Sequence, residues 1–256
     1  MANSFKNRTY RPLTAITYSS LTCFTLVIVM SLMLAALGLA YVIYNEDAFS
    51  PDRSGPLAIL FYGFSLAFRF EPVTRVIAVV IYLIWSYRAF NNLAPLRARN
   101  LEFSPVSAVA WWFVPFVNFV YPFQIMREVW QASDPEIINN NRETRRLSGT
   151  PDLLGVWWAA FILSVFLTVI SNALSGLGQS KESLWFPSFL VLSQLVRATA
   201  AVLVMWSMIE ITRRQEKRFR KLILAPATPP DPPSFDEPTP EPVVQTEVVE
   251  LLPQQQ

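Results

Sequence analysis

No histidine occurs in the 256-residue sequence, and there is one cysteine, Cys23. The first absence excludes a Ser-His-Asp triad, a His-ligated zinc centre and the usual proton shuttle near neutral pH. The second excludes an internal disulfide framework and any multi-cysteine metal site. Glycine is scarce too. With seven in the chain, four of them in or beside apolar runs, neither a Walker-type nor a dinucleotide-type phosphate loop can be written. The expectation is no metal, no cofactor and no catalytic residue. Charge is the last shortage: 16% of residues are charged, against about 25% in ordinary soluble domains. Apolar residues make up 52% and aromatic residues 14%. That balance points to lipid.

What is abundant is uncharged sequence in long runs. No charge lies between Arg11 and Glu46, a stretch well beyond the ~20 apolar residues a bilayer demands. It is also longer than the apolar core of a cleaved signal peptide, about 7–15 residues. A first span is expected at about 20–44. A second falls at 73–90, where the long stems of Arg75 and Arg88 reach the interfaces. The apolar piece ahead of it, 57–68, is short and is expected at the outer interface. Thr150-Pro151-Asp152 carries helix-start signals before a third span at 153–175, with Trp157 and Trp158 in an aromatic belt. The fourth, 187–211, runs into the basic stretch 213–221.

Charge sets the expected orientation. Residues 225–256 hold six acidic residues, no Lys or Arg, and nine of the twenty prolines. Such a segment cannot bury enough apolar surface to offset its ordering entropy, so a disordered tail is expected there. The rest, 1–224, carries 21 basic against 13 acidic residues. With four spans and both termini cytoplasmic, 16 of the 21 basic residues fall inside and four outside, with Arg197 within the last span. The expected fold is therefore all-α: an integral membrane four-helix bundle, multi-pass, with both termini cytoplasmic.

The uncharged run between Glu102 and Arg127 breaks this pattern. It is long enough to span, but a fifth crossing would spoil the charge asymmetry. Pro115 and Pro122, with Asn118 between them, would each interrupt a continuous helix. Ser104-Pro105 and Tyr121-Pro122 read as two separate helix starts. Beyond Pro122, Gln124, Arg127, Glu128 and Gln131 share one helical face while Phe123, Met126 and Trp130 fill another, and Asp134-Pro135 ends the helix. Residues 104–133 are expected to form a re-entrant or interfacial helix pair between spans two and three, with a true crossing as the other reading.

Several motifs in this region occur together: Tyr87-Arg88-Ala89, Phe103-Ser104-Pro105, Trp111-Trp112-Phe113-Val114-Pro115, Asn118, Pro122, Gln124, Arg127-Glu128, Trp130, Ala132-Ser133 and Trp157-Trp158. In this order they resemble bacterial membrane proteins catalogued as domain of unknown function 4328, over about residues 15–220. The chain departs from that pattern at Tyr121, where a basic residue is expected, and at Asn91-Asn92, which replace a more basic stretch. The resemblance implies a multi-span membrane domain, expected in the bacterial cytoplasmic (inner) membrane, and carries no activity, substrate or catalytic residue.

Candidate ligand or interaction residues are Trp111, Trp112, Asn118, Gln124, Arg127, Glu128, Trp130 and Arg197. Each has a plainer reading. Interfacial tryptophans ordinarily serve belts or packing. Asn118 either faces a cavity or caps a turn, and Arg127 and Glu128 belong to an interfacial polar face. An arginine at the bilayer centre costs ~2.5–3.5 kcal/mol on insertion scales, so Arg197 is expected to reach the outer interface. The function expected first is a non-enzymatic structural or interaction protein of the cell envelope. Its partners would be the lipid bilayer, other membrane proteins or a second copy of the chain, and no nucleic acid. A small-solute or lipid transporter or channel component using the re-entrant segment is the alternative.

Overall fold

The long apolar runs become helices, except the one between Glu102 and Arg127. The computed structural model describes residues 9–44, 56–137, 142–147, 149–176 and 185–224. Its helices are α1 (Thr14–Tyr44), α2 (Pro56–Asn91), α3 (Ser107–Ala110), α4 (Tyr121–Ala132), α5 (Arg142–Leu147), α6 (Asp152–Gly176) and α7 (Trp185–Leu224), with no strand among the described residues. The fold is all-α. Three helices are long and apolar enough to cross a membrane, over Thr14–Ile43, Asp152–Leu174 and Pro187–Leu224. They coincide with the first, third and fourth expected spans. The Pro-rich acidic tail, 225–256, lies outside the described residues.

α2 differs from expectation. It runs unbroken through Pro72, so residues 57–68 form its first turns rather than a separate interfacial piece. One proline removes a single intrahelical donor, which the helix tolerates; just beyond it Thr74 Oγ1 donates to the Glu71 carbonyl at 2.8 Å. α2 also carries Arg69, Glu71, Arg75 and Arg88, and it is not one of the three apolar helices.

α7 packs against both α1 and α6, and α2 against α1. The register is antiparallel and continuous. Thr17 and Thr212 hydroxyls lie 2.8 Å apart, and Trp85 Nε1 donates to Thr17 Oγ1 at 3.0 Å. Further along, Gly38 faces Val191, where an added Cβ would come within 2.9 Å of Val191 Cγ2. A small residue there lets the two backbones approach. Outward faces are apolar: Val29, Val76 and Val169 are each more than half exposed. Lipid, not water, suits such a surface.

The core gathers at the end where the basic residues lie. Trp85, Phe90, Leu93, Leu96, Ile125, Met208 and Ile211 are fully buried there, beside Tyr82, Trp130, Trp157 and Trp158. The chain leaves α2 through a Schellman turn, Ala98 N–H to Leu93 O (3.0 Å) and Arg97 N–H to Ala94 O (3.0 Å). Arg97 takes the left-handed position, at φ 59°, that glycine normally fills.

Residues 104–133 are broken where the prolines stand. The Ser107 N–H donates to Ser104 Oγ (3.1 Å) and the Ser104 N–H to Ser107 Oγ (2.7 Å), a reciprocal cap ahead of α3. A 3-10 turn, Trp111–Phe113, follows. Val114 is extended, as the residue before a proline tends to be. Phe116 then sits at φ 62°, at the centre of a γ-turn closed by Val117 N–H to Pro115 O at 2.7 Å. A second 3-10 turn, Val117–Phe119, leads into α4, which holds Pro122 in its first turn and stops at Ser133.

Candidate functional site

The two legs of this hairpin are tied at their base by one carboxylate. Glu128 on α4 accepts the backbone N–H groups of Glu102 (2.8 Å) and Phe103 (3.2 Å), so the segment returns to the level it left. Glu128 is buried, a correction to its expected place on an open interfacial polar face. Its counter-charge is Arg145 of α5, at 3.4 Å. Burial pushes the Glu128 carboxyl above the ordinary carboxylate range, partly offset by the two N–H groups and Arg145. Burial likewise pulls the Arg145 guanidinium below its ordinary value, and Glu128 offsets part of that.

Arg145 does more than neutralise Glu128. Its guanidinium donates to the carbonyls of Arg99 (2.5 Å) and Asn100 (2.8 Å), holding the loop that leads into the hairpin. Arg218 of α7 does the same for the neighbouring loops, donating to Leu96 O (2.9 Å), Ile137 O (3.0 Å) and Asp134 O. Between them lies an amide pair. Asn92 exchanges hydrogen bonds with the Arg11 backbone (3.1 and 2.8 Å) and donates to Gln215 Oε1 (3.1 Å). Gln215 in turn donates to Ala89 O (2.9 Å) and Ser133 Oγ (3.1 Å). Buried polar groups of this kind stabilise only when satisfied, and these are.

Beside Glu128 is a cleft of about 210 Å³, walled by Glu102 and Phe103 on one leg, Gln124, Arg127 and Gln131 on α4, and Arg142 and Arg145 on α5. Arg142 pairs with Glu102 at 2.5 Å, and Gln131 donates to Thr150 Oγ1 at 3.1 Å. Among the candidates, the structure therefore brings together Gln124, Arg127 and Glu128.

The tryptophans belong to packing. Trp112 meets Tyr82, Trp158 and Phe161 edge-on at 5.5, 5.8 and 5.8 Å. Trp111 lies 5.1 Å from the Tyr121 ring. Trp130 stacks on Trp206 at 5.4 Å, with the Arg214 guanidinium 4.1 Å over its ring. Trp158 Nε1 donates to Phe119 O at 3.0 Å, and Phe119 stacks on Phe166 at 6.1 Å. The hairpin thus lies alongside α6. Asn118, near its tip, is half-buried; its Oδ1 is enclosed without a hydrogen-bond partner among the described residues, and it does not line the cleft.

Arg197 stands apart from all of these, and the expectation that it reaches the outer interface is corrected. It is 9% exposed. Its guanidinium donates to Glu71 Oε1 (2.6 Å), Gln194 Oε1 (3.0 Å) and Thr168 Oγ1 (2.5 Å). Arg75 joins the same Glu71 oxygen from one turn along α2, at 2.9 Å. A counter-ion within reach removes the need to reach polar solvent.

Sequence reasoning missed Glu71, Asn92, Arg145, Gln215 and Arg218. Glu71 had a signal, an acidic residue in an apolar helix with Arg at i+4. Arg145 and Arg218 sit in basic clusters and are indistinguishable there from solvated charges. No curated protein and no solved structure matches the chain. The sequence profile of one family matches residues 65–213, more than half the length, from the first third of α2 through the hairpin and α6 to the start of the basic stretch of α7. The chain belongs to that family, a domain of unknown function (DUF4328).

Proposed function

We propose that the chain is a four-span protein of the bacterial cytoplasmic membrane with both termini cytoplasmic. In this reading α2 is the second crossing and the hairpin is re-entrant from the cytoplasmic face. It acts as a non-enzymatic interaction platform, built by the hairpin, α4, α5 and the basic end of α7. The observation that carries this is the Glu128 clamp: both ends of residues 103–128 are held at one level, beside loops anchored by Arg145 and Arg218. The charged groups most deeply buried there are spent on the chain's own backbone, as in a scaffold, and are not free for chemistry. The basic split of 16 to 4 supports the orientation. α2 keeps pace with α7 from the Thr17–Trp85–Thr212 contact to the Glu71–Arg197 pair, 15 residues along α7, or roughly 22 Å of helix rise.

In a Cys23→Ser background, single cysteines at Asn100 and Gln131 should label with an impermeant reagent from the cytoplasmic side, and one at Asn118 weakly or not at all. Labelling of Gln131 only from the periplasm would make the hairpin a fifth crossing and sink the reading. A stoichiometric protein recovered with the chain in mild detergent would support the platform role. The buried Glu71–Arg197 pair favours a second reading, as part of a transporter, because intramembrane charges commonly mark pathways. Solute flux from proteoliposomes that is lost in Arg197→Met/Glu71→Met would support that reading instead.

A further inference from the structure

We propose that the cleft beside Glu128 binds the phosphate of an anionic phospholipid headgroup from the cytoplasmic leaflet. The proposal rests on the orientation argued above. Three arginines and two glutamates line the cleft, and the glutamates are already matched: Glu102 by Arg142 at 2.5 Å, Glu128 by Arg145 and two backbone N–H groups. The third arginine, Arg127, has no acceptor among the described residues. The wall therefore holds one uncompensated positive charge. Gln124 lies one turn before it on the same α4 face, and its amide is uncommitted among the described residues. A guanidinium fork and a neutral amide donor side by side suit phosphate oxygens.

Size narrows the ligand. At about 210 Å³ the cleft falls below the roughly 300–1,000 Å³ of pockets that enclose whole drug-sized molecules. It has room for a headgroup rather than for a nucleotide or cofactor. The source follows from what adjoins it. Phe103, in the cleft wall, opens the hairpin whose Phe113 and Phe116 are 72% and 84% exposed. A lipid with its phosphate at Arg127 would lay its acyl chains along that aromatic surface. A soluble phosphate has no use for it.

The test is native mass spectrometry of the full chain in mild detergent, titrated with phosphatidylglycerol, phosphatidylcholine or inorganic phosphate. Phosphatidylglycerol should bind in preference to phosphatidylcholine, and Arg127→Ala should weaken it by about tenfold or more, as loss of a charge-assisted hydrogen bond implies. Arg127→Lys should fall between the two, because it keeps the charge and loses the fork. Arg220→Ala, on the exposed end of α7 where Arg220 pairs with Glu216 at 3.9 Å, should change nothing. Equal losses in Arg127→Ala and Arg220→Ala would mean general attraction to a basic surface and would overturn the site. Full displacement by inorganic phosphate, with no dependence on acyl chains, would overturn the lipid. Both alanine variants remove exposed side chains, and their thermal midpoints should match wild type. The topology stands or falls separately: a failed titration with Gln131 labelled from the cytoplasm ends the lipid site alone, whereas periplasmic labelling ends the orientation.

Discussion

The two ends of the helical bundle are held together by opposite means. Toward the basic end, aromatic packing surrounds many satisfied polar contacts, among them Asn92–Gln215, Thr17–Thr212, Arg145 and Arg218 on loop carbonyls, and Glu128 on the hairpin. Toward the other end, among the described residues, α2, α6 and α7 meet at one charged cluster, Glu71 with Arg197, Arg75, Gln194 and Thr168. The difference teaches where redundancy lies. A network of neutral and backbone contacts loses one member cheaply. A buried cluster built around one carboxylate loses most when Glu71 or Arg197 goes, because the survivor is left charged and desolvated without its main counter-charge.

The largest expected effect is therefore at the sparse end. Arg197→Ala or Glu71→Ala should each cost about 3–5 kcal/mol, read as a drop in thermal midpoint in mild detergent. The double replacement Arg197→Met/Glu71→Met should restore most of it, since an apolar pair of similar volume is often as stable as a buried ion pair. If the double variant is no better than the singles, the Glu71–Arg197 pair is not the lock described here.

At the dense end Gln215→Ala should cost less, about 1–3 kcal/mol, because it leaves Asn92 Nδ2 and Ala89 O each short of one partner. A loss as large as that of Arg197→Ala would erase the contrast between the ends.

Glu128 sharpens the comparison through pH. Its folded-state carboxyl is raised above the ordinary range, so the folded chain holds that proton more readily than the unfolded one. Its contribution is fully present below the ordinary carboxylate pKa and is lost as pH rises through the raised value. The thermal midpoint of wild type, measured against Glu128→Gln across that window, should fall with rising pH and then level off. A flat difference would show that the clamp does not titrate there.

The smallest effect concerns the hairpin tip. Phe116→Gly relieves a left-handed backbone position that a side chain adopts at a cost. It should raise stability by up to ~1 kcal/mol in detergent. Loss of the weak-labelling signature at a cysteine placed at Asn118 in the same chain would tie the exposed ring to membrane insertion.

Much of the architecture was legible in the sequence, for physical reasons that act along the chain. Uncharged runs longer than a bilayer became α1 and α6, and an apolar stretch interrupted by Arg197 became α7. Pro115 and Pro122 broke residues 104–133 into short pieces wherever they fell, since a missing donor and a fixed φ are local facts. The period of Gln124, Arg127, Glu128 and Gln131 marked α4 and its polar face. What the tertiary structure alone decided is the partner of each charge. Glu71 and Arg197 are 126 positions apart, Arg218 and Leu96 are 122 apart, and no local pattern reports which distant oxygen a guanidinium will meet. The sequence supplies Arg197 with a desolvation cost, and only the parallel register of α2 beside α7 supplies the carboxylate that offsets it. Composition determined that this chain belongs in lipid; the register of its helices decided which of its charges are buried there.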